Sequence, residues 1–290
     1  MSIMYKFTPD QFNQLSRIEK ERLIKDFVYD LCLKLKIDPI PITFQNLTNI
    51  NGEELGGKFI HNPTCIAINE KFVDPSQEIE FIKNQGINYD IAIPYFLVHA
   101  IAHECYHYYQ FTLEKKLIDG IELTEEEKVS AYLYFICLHT NLFANYNEKI
   151  LNYVPNTKIS KEDLYLYAPI ELGANSFASE IVEILGKEDN PENYEFYTNN
   201  LINTNLKMAL NNYNKGCNLT ELSILYSLET VKTFLIYKNS VSGTKNPYLG
   251  IDINELETYI NKALEKWKEI DKRHSKLITK LKKNNPKNKK

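Results

Sequence analysis

Strand-forming segments occupy one short stretch of this sequence, and helix-forming segments occupy most of the rest. Residues 41–73 contain three short runs rich in β-branched and aromatic residues, separated by Asn-Gly, Gly-Gly and Asn-Pro turn signals: PITFQNL, GKFIH and CIAINEKF. From Pro94 onward, amphipathic helical segments follow one another. We therefore expect the α+β class, with a small N-terminal antiparallel or mixed sheet followed by a mostly α-helical C-terminal region.

Helix start signals divide the remainder of the chain. Thr8-Pro9 predicts the start of an N-terminal helical segment that reaches about residue 36. After the strands, a helix is predicted over about 94–115, and the capping box in TEEE (124–127) begins another that runs towards residue 150. Further helices are predicted to begin near Pro169, Asn190-Pro191, residue 219 and Asp252.

Composition indicates a globular protein without a membrane segment. Apolar residues make up 43% of the chain and charged residues 25%, which is typical of soluble domains. The N-terminus has no signal-peptide pattern, and the longest apolar runs are too short to cross a bilayer. We therefore expect a cytoplasmic protein with no membrane partner. The five cysteines contain no CxxC pair, which argues against a disulfide framework and against a thiolate zinc site.

The charge distribution is uneven but does not indicate a nucleic-acid-binding domain. Residues 261–290 carry twelve Lys and Arg against three Asp and Glu, whereas the whole chain has a net charge of −4. A lysine-rich tail without interleaved aromatic residues is typically a solvated end. Binding of nucleic acid would depend on this basic C-terminal tail alone.

Residues 99–110, HAIAHECYHYYQ, place three histidines at four-residue intervals within the helix predicted over 94–115. Residues four apart share a helix face, so His103 and His107 can direct two imidazoles at one ion, with Glu104 beside them. This is the HExxH pattern, in which two histidines bind zinc and the glutamate is the general base towards a water activated by the metal. The alternative is a half-buried helix whose histidines are hydrogen-bonded without a metal.

His99 does not fit the same ion. It precedes His107 by eight residues, a rise of about 12 Å along a straight helix. A pair formed by His99 and His103 would also lack the glutamate, because Ala100 follows His99. We expect His99 to pack against the site or to support a ligand.

A catalytic zinc needs a third protein ligand and an open position. The other histidines, His61, His139 and His274, have no partner nearby in sequence. In YAPIELGANSFASEIVEILG, Pro169 begins a helix, and Glu171 lies in its first turn on the apolar face. A carboxylate there needs a partner, and zinc is one candidate, whereas the alternative is a capping glutamate that faces solvent. Asn175, one turn later, could hydrogen-bond a zinc-binding histidine.

The segments HECYHYYQ and PIELGANSFASEIV together resemble the ImmA/IrrE-type zinc metallopeptidases, which are gluzincins. The matching residues are His103, Glu104, His107, Glu171, Ala174, Asn175, Phe177 and Ala178. The resemblance covers about residues 40–186, although the 64 residues from His107 to Glu171 exceed the usual spacing in small members. It implies a zincin-like fold in which the sheet packs on the HExxH helix. It also implies Zn²⁺ as cofactor, Glu171 as the third ligand and Glu104 as the general base.

These observations predict a zincin-like metallopeptidase domain with N-terminal helices at 1–189, and a helical C-terminal region with a basic tail at 190–290. The predicted activity is hydrolysis of peptide bonds in a protein or peptide substrate. The alternative is a non-catalytic or regulatory binding protein on the same scaffold, whose C-terminal region mediates partner interaction. The presence of Glu104 favours the enzyme, since a structural zinc site needs no base.

Two details of the predicted peptidase concern its substrate. CIAINEKF (65–72) is predicted to be the edge strand on which a substrate peptide would lie. A group that stabilises the developing oxyanion is also required. The candidates, which the sequence does not rank, are Tyr108, His139, Tyr165 and Tyr167.

Overall fold

The structure is a computed structural model, and it describes residues 3–49, 52–74, 76–83, 88–124, 126–128, 130, 131, 134 and 169–198. The helices predicted near 219–238 and from Asp252, and most of the helix predicted after residue 128, lie outside these residues. The division at residue 189 also stays a prediction. Within the described part of the chain, no helix is long and apolar enough to cross a membrane.

Two helices form the N-terminal segment, which the sequence predicts to be helical to about residue 36. Helix α1 (Pro9–Phe12) has Thr8 as its N-cap, and helix α2 spans Arg17–Leu35. Ser16 and Glu19 form a reciprocal capping box at the start of α2, which satisfies two backbone N–H groups that have no partner within the helix. The apolar face of α2 is buried through Leu23, Ile24, Phe27, Val28 and Leu31.

The three predicted strands form one mixed sheet. Strands β1 (Ile42–Gln45), β2 (Gly57–His61) and β3 (Thr64–Asn69) lie in the order β1-β3-β2, with β1 parallel and β2 antiparallel to β3. The prediction that residues 65–72 form an edge strand is wrong, because β3 is central and residues 70–72 form a 3-10 turn. Every residue of β3 after Thr64 is buried, as expected for a strand covered on both faces.

Helix α4 spans Tyr89–Ile118 and is longer than predicted, because it continues through Pro94. A proline inside a helix removes the hydrogen bond to the carbonyl four residues earlier, here the carbonyl of Asp90. The Asn13 side chain compensates, since its Nδ2 donates to the Asp90 carbonyl oxygen at 2.9 Å. A residue 77 positions away therefore allows the helix to begin a turn before the proline.

Helix α5 spans Pro169–Glu188 and begins where the sequence predicts, at Pro169. Its predicted apolar face is buried at Ala174, Phe177, Ala178, Ile181 and Leu185. From Phe177 onward this face belongs to one hydrophobic cluster with α2, β3 and the first half of α4. A four-residue helix, α3 (Glu80–Lys83), precedes α4.

The described residues up to Thr112 and from Gly173 onward belong to one compact unit. Its limits fall inside α4 and α5, after Thr112 and before Gly173. Both helices are continuous across these limits, so the limits do not mark ends of secondary structure. Glu171 is thus carried by the same helix as the buried face that starts at Ala174.

A hydrogen bond joins α4 to the residue that follows α5. The Tyr95 hydroxyl donates to Asp189 Oδ2 at 2.6 Å, and the Tyr95 ring stacks on Tyr197 with centroids 4.5 Å apart. Tyr95→Phe keeps the ring stacking and loses the hydrogen bond to the carboxylate. We therefore expect the free energy of unfolding, measured in urea, to fall by about 1.5 kcal/mol. Tyr29→Phe, at an exposed position, is the matched control. Equal stability of the Tyr95→Phe and wild-type chains would contradict this role.

Candidate metal centre

His103 and His107 lie one turn apart on α4 and direct the same ring atom at each other. Their Nε2 atoms are 3.0 Å apart, and their rings are nearly perpendicular at 88°. Two nitrogens bound to one tetrahedral zinc, each at about 2.05 Å, would be about 3.3 Å apart. The separation is thus compatible with both nitrogens binding one ion.

The hydrogen-bond partners of the opposite ring atoms indicate the tautomer of each histidine. His103 Nδ1 is 3.0 Å from Asn175 Oδ1, and His107 Nδ1 is 2.9 Å from Gln110 Oε1. An amide oxygen only accepts, so each Nδ1 must donate, and in a neutral imidazole Nε2 then carries a lone pair. Both Nε2 atoms then carry a lone pair that a cation can bind.

Glu171 completes a group of three possible ligands. A nitrogen of His103, a nitrogen of His107 and a carboxylate oxygen of Glu171 all lie within 4.8 Å of one another. Glu171 is 3% exposed and occupies the first turn of α5, where the helix dipole favours a negative charge. The burial is at odds with the alternative of a solvent-facing capping residue.

Glu104 lies beside the histidines and is anchored by the sheet. It is 8% exposed, and its Oε2 accepts a hydrogen bond from the backbone N–H of Phe59 in β2 at 2.6 Å. A carboxylate has four lone-pair sites, so this bond orients the group and leaves the other oxygen able to accept. Glu104 is thus a buried carboxylate, oriented by β2, that directly follows His103 in α4.

Gly56 and Gly57 explain how β2 approaches α4 so closely. A Cβ atom on Gly56 would lie 3.2 Å from Ala100 Cβ, and one on Gly57 would lie 3.0 Å from Glu104 Cγ. Both distances are tighter than ordinary van der Waals contact. The Gly-Gly pair, which the sequence indicated as a turn signal, thus also leaves the space that the Glu104 side chain needs to reach β2.

The remaining candidates differ in their surroundings. His99 packs its ring against His103 with centroids 6.2 Å apart, and burial lowers its pKa, so it stays neutral. The His61 ring packs against the rings of Phe59 and Phe111. Among the oxyanion candidates, Tyr108 packs its ring on Phe59, whereas His139, Tyr165 and Tyr167 lie outside the described residues, as does His274.

The three side chains form a donor set that suits zinc. Two imidazole nitrogens and one carboxylate oxygen are the ligands of many catalytic zinc sites, which leave a fourth position open. Sequence reasoning missed two features of the site, the backbone N–H of Phe59 and the side chain of Gln110. Gln110 follows His107 by three residues, so the helical spacing that pairs the histidines could have identified it.

Comparison with protein family models, with curated protein sequences and with solved structures yields no match to this chain.

Proposed function

We propose that this chain is a zinc-dependent metallopeptidase of the ImmA/IrrE type, a gluzincin that hydrolyses peptide bonds of a protein substrate. One observation carries the proposal: a nitrogen of each histidine and an oxygen of a buried carboxylate lie within 4.8 Å of one another, and the anchored Glu104 directly follows His103 in the helix. His103, His107 and Glu171 would hold Zn²⁺, and Asn175 would orient His103. The small mixed sheet beside the HExxH helix is consistent with a zincin-like fold.

The proposed division of labour follows from the surroundings of each residue. Bound zinc would supply Lewis acidity that polarises the substrate carbonyl and activates water. Water adds to the carbonyl carbon while Glu104 takes its proton, and the C–N bond breaks as Glu104 returns the proton to the leaving amine. The Phe59 N–H holds one carboxylate oxygen throughout, so the other is the one that exchanges the proton.

The outer edge of β2 is the proposed position of the substrate peptide. In the β2–β3 register Phe59 lies opposite Ile66, whose N–H donates to the Pro41 carbonyl oxygen in the segment that leads into β1. Phe59 and Ile66 therefore form a non-hydrogen-bonded pair, and the N–H and C=O of Phe59 point away from β3. These groups point to the side of β2 where Glu104 lies. The Phe59 N–H is bound to Glu104, so a peptide that adds to this edge as an extra strand would bond the Phe59 C=O and would bring its backbone beside the general base.

Gly57→Ala tests whether the contact between β2 and Glu104 positions the base. The added Cβ would meet Glu104 Cγ at 3.0 Å and displace the carboxylate. We expect kcat for peptide cleavage to fall about 10- to 100-fold, with zinc content and KM little changed. The exposed neighbour Lys58→Ala is the control. An unchanged kcat would show that Glu104 tolerates the shift or does not act as the base.

The proposed function is tested by peptide cleavage in the presence and absence of metal. The purified chain, loaded with one equivalent of Zn²⁺, is incubated with a mixed peptide library, and new termini are identified by mass spectrometry. We expect cleavage that a chelator abolishes and that added zinc restores. A chain that binds zinc but cleaves nothing would favour the non-catalytic binding protein. A chain that binds no zinc would exclude the metal centre.

A further inference from the structure

Gln110 has the surroundings of a residue that serves the site. It is 3% exposed, and its Oε1 accepts from His107 Nδ1 at 2.9 Å. Burying a carboxamide costs free energy unless its polar atoms are hydrogen-bonded, and the contact with His107 Nδ1 meets this requirement for Gln110 Oε1. We infer that Gln110 and Gly173 form a positioning pair that sets the tautomer and orientation of His107. The inference rests on the metal centre of the proposed function.

Gly173 supplies the space that this arrangement needs. A Cβ atom at position 173 would lie 3.3 Å from Gln110 Nε2 and 3.2 Å from Tyr106 Cε1. Gly173 is two residues after Glu171 and two before Asn175 on α5. A larger residue would therefore push on Gln110 from the same turn that carries a proposed ligand and the partner of His103.

Each histidine thus has its own carboxamide, contributed by a different helix. Asn175 on α5 accepts from His103, and Gln110 on α4 accepts from His107. Both amides select the tautomer whose Nε2 can bind a cation, and neither adds a negative charge. The charge of a bound divalent cation would then be offset by Glu171 among the three ligands, which preserves its strength as a Lewis acid.

The test is zinc affinity, measured by competition with a chromophoric chelator on the full chain. Loss of a hydrogen-bonding partner of a ligand histidine typically weakens metal binding about 10- to 100-fold, and we expect this for Gln110→Ala. Gln110→Glu keeps an acceptor and should bind zinc at least as tightly as wild type. The exposed Gln45→Ala is the matched control. The absorption spectrum of bound Co²⁺ should change in Gln110→Ala and not in Gln45→Ala.

Gly173→Ala separates positioning from helix stability. Alanine stabilises a helix relative to glycine, so a loss of zinc affinity in this variant cannot arise from a weakened α5. We expect a loss of about tenfold in the wild-type background and a smaller one in Gln110→Ala, because the clash with Gln110 is then absent. Ser176→Ala, at an exposed position on α5, is the control.

The outcomes distinguish this inference from the metal centre itself. Wild-type zinc affinity in Gln110→Ala, with an unchanged Co²⁺ spectrum, would overturn the inference and leave the metal centre intact. Equal effects of Gly173→Ala in both backgrounds would remove Gly173 from the pair. Absence of zinc binding by the wild-type chain would reject the metal centre and the inference together.

Discussion

Glu171→Ala is expected to lose stoichiometric zinc binding. The proposed site draws two ligands from one turn of α4 and the third from α5, so the variant retains two nitrogens on a single helix. Even the partner of a ligand histidine is typically worth 10- to 100-fold in affinity, so removal of a directly bound ligand should cost more than about 100-fold. Zinc per chain after gel filtration, and affinity by chelator competition, measure the effect.

Glu180→Ala is the matched control for this substitution, since it removes an exposed carboxylate from the same helix. The control should keep one zinc per chain. Removing a buried carboxylate from metal-free protein is expected to leave the helix intact, and a far-ultraviolet circular dichroism spectrum checks this. Full zinc occupancy in Glu171→Ala would reject Glu171 as the third ligand.

Glu104→Gln is expected to keep zinc and lose catalysis. The amide is isosteric with the carboxylate, and its oxygen can still accept the Phe59 N–H, so the local packing of β2 on α4 should persist. The amide nitrogen cannot take a proton from water. General acid–base catalysis typically contributes 10²- to 10⁴-fold, and we expect kcat for peptide cleavage to fall by about that factor.

Zinc content and kcat are measured on the same preparation of Glu104→Gln, with the exposed Glu122→Gln as the matched control. Zinc affinity should stay within a few-fold of wild type, because Glu104 is not one of the three proposed ligands. Cleavage at the wild-type rate would reject Glu104 as the base. Loss of zinc would instead make Glu104 part of the ligand set.

The two variants together separate the enzyme from the binding protein. In a zinc peptidase, Glu171→Ala loses both metal and activity, whereas Glu104→Gln loses activity alone. In a binding protein with a structural zinc, Glu171→Ala loses the metal, and neither Glu104→Gln nor the wild-type chain shows cleavage. The pattern of zinc and cleavage across these three proteins is therefore diagnostic of the class of function.

Sequence patterns predicted the local elements of the fold well because those elements depend on near neighbours. The start of α5 followed from Pro169, and the start of α1 followed from Thr8 and Pro9. Local rules failed at Pro94, where they predict a helix start. The helix extends through the proline because Asn13, from a distant part of the chain, satisfies the Asp90 carbonyl.

Strand order could not be predicted in the same way. The apolar run in CIAIN identified β3 as a strand, but the sequence prediction placed it at the edge of the sheet. A strand buried on both faces reads as a continuous apolar run, which the later part of CIAINEKF obscures with Asn69, Glu70 and Lys71. Asn69 is 1% exposed, and its Nδ2 donates to the Leu55 carbonyl oxygen, so a polar residue at this position does not indicate an exposed edge.

The sequence by itself determined which residues can do chemistry: His103 and His107 share a face because a helix repeats every 3.6 residues, and Glu104 adjoins them. Only the tertiary structure decided which distant groups meet them. Packing of α5 against α4 places Glu171 and Asn175 near the histidines, and packing of β2 against α4 places the Phe59 N–H at Glu104. The physical reason is that spacing along a helix is a local property, whereas contacts between elements depend on how buried faces fit. Gly57 and Gly173 illustrate this, because the absence of a side chain leaves space for Glu104 at Gly57 and for Gln110 at Gly173.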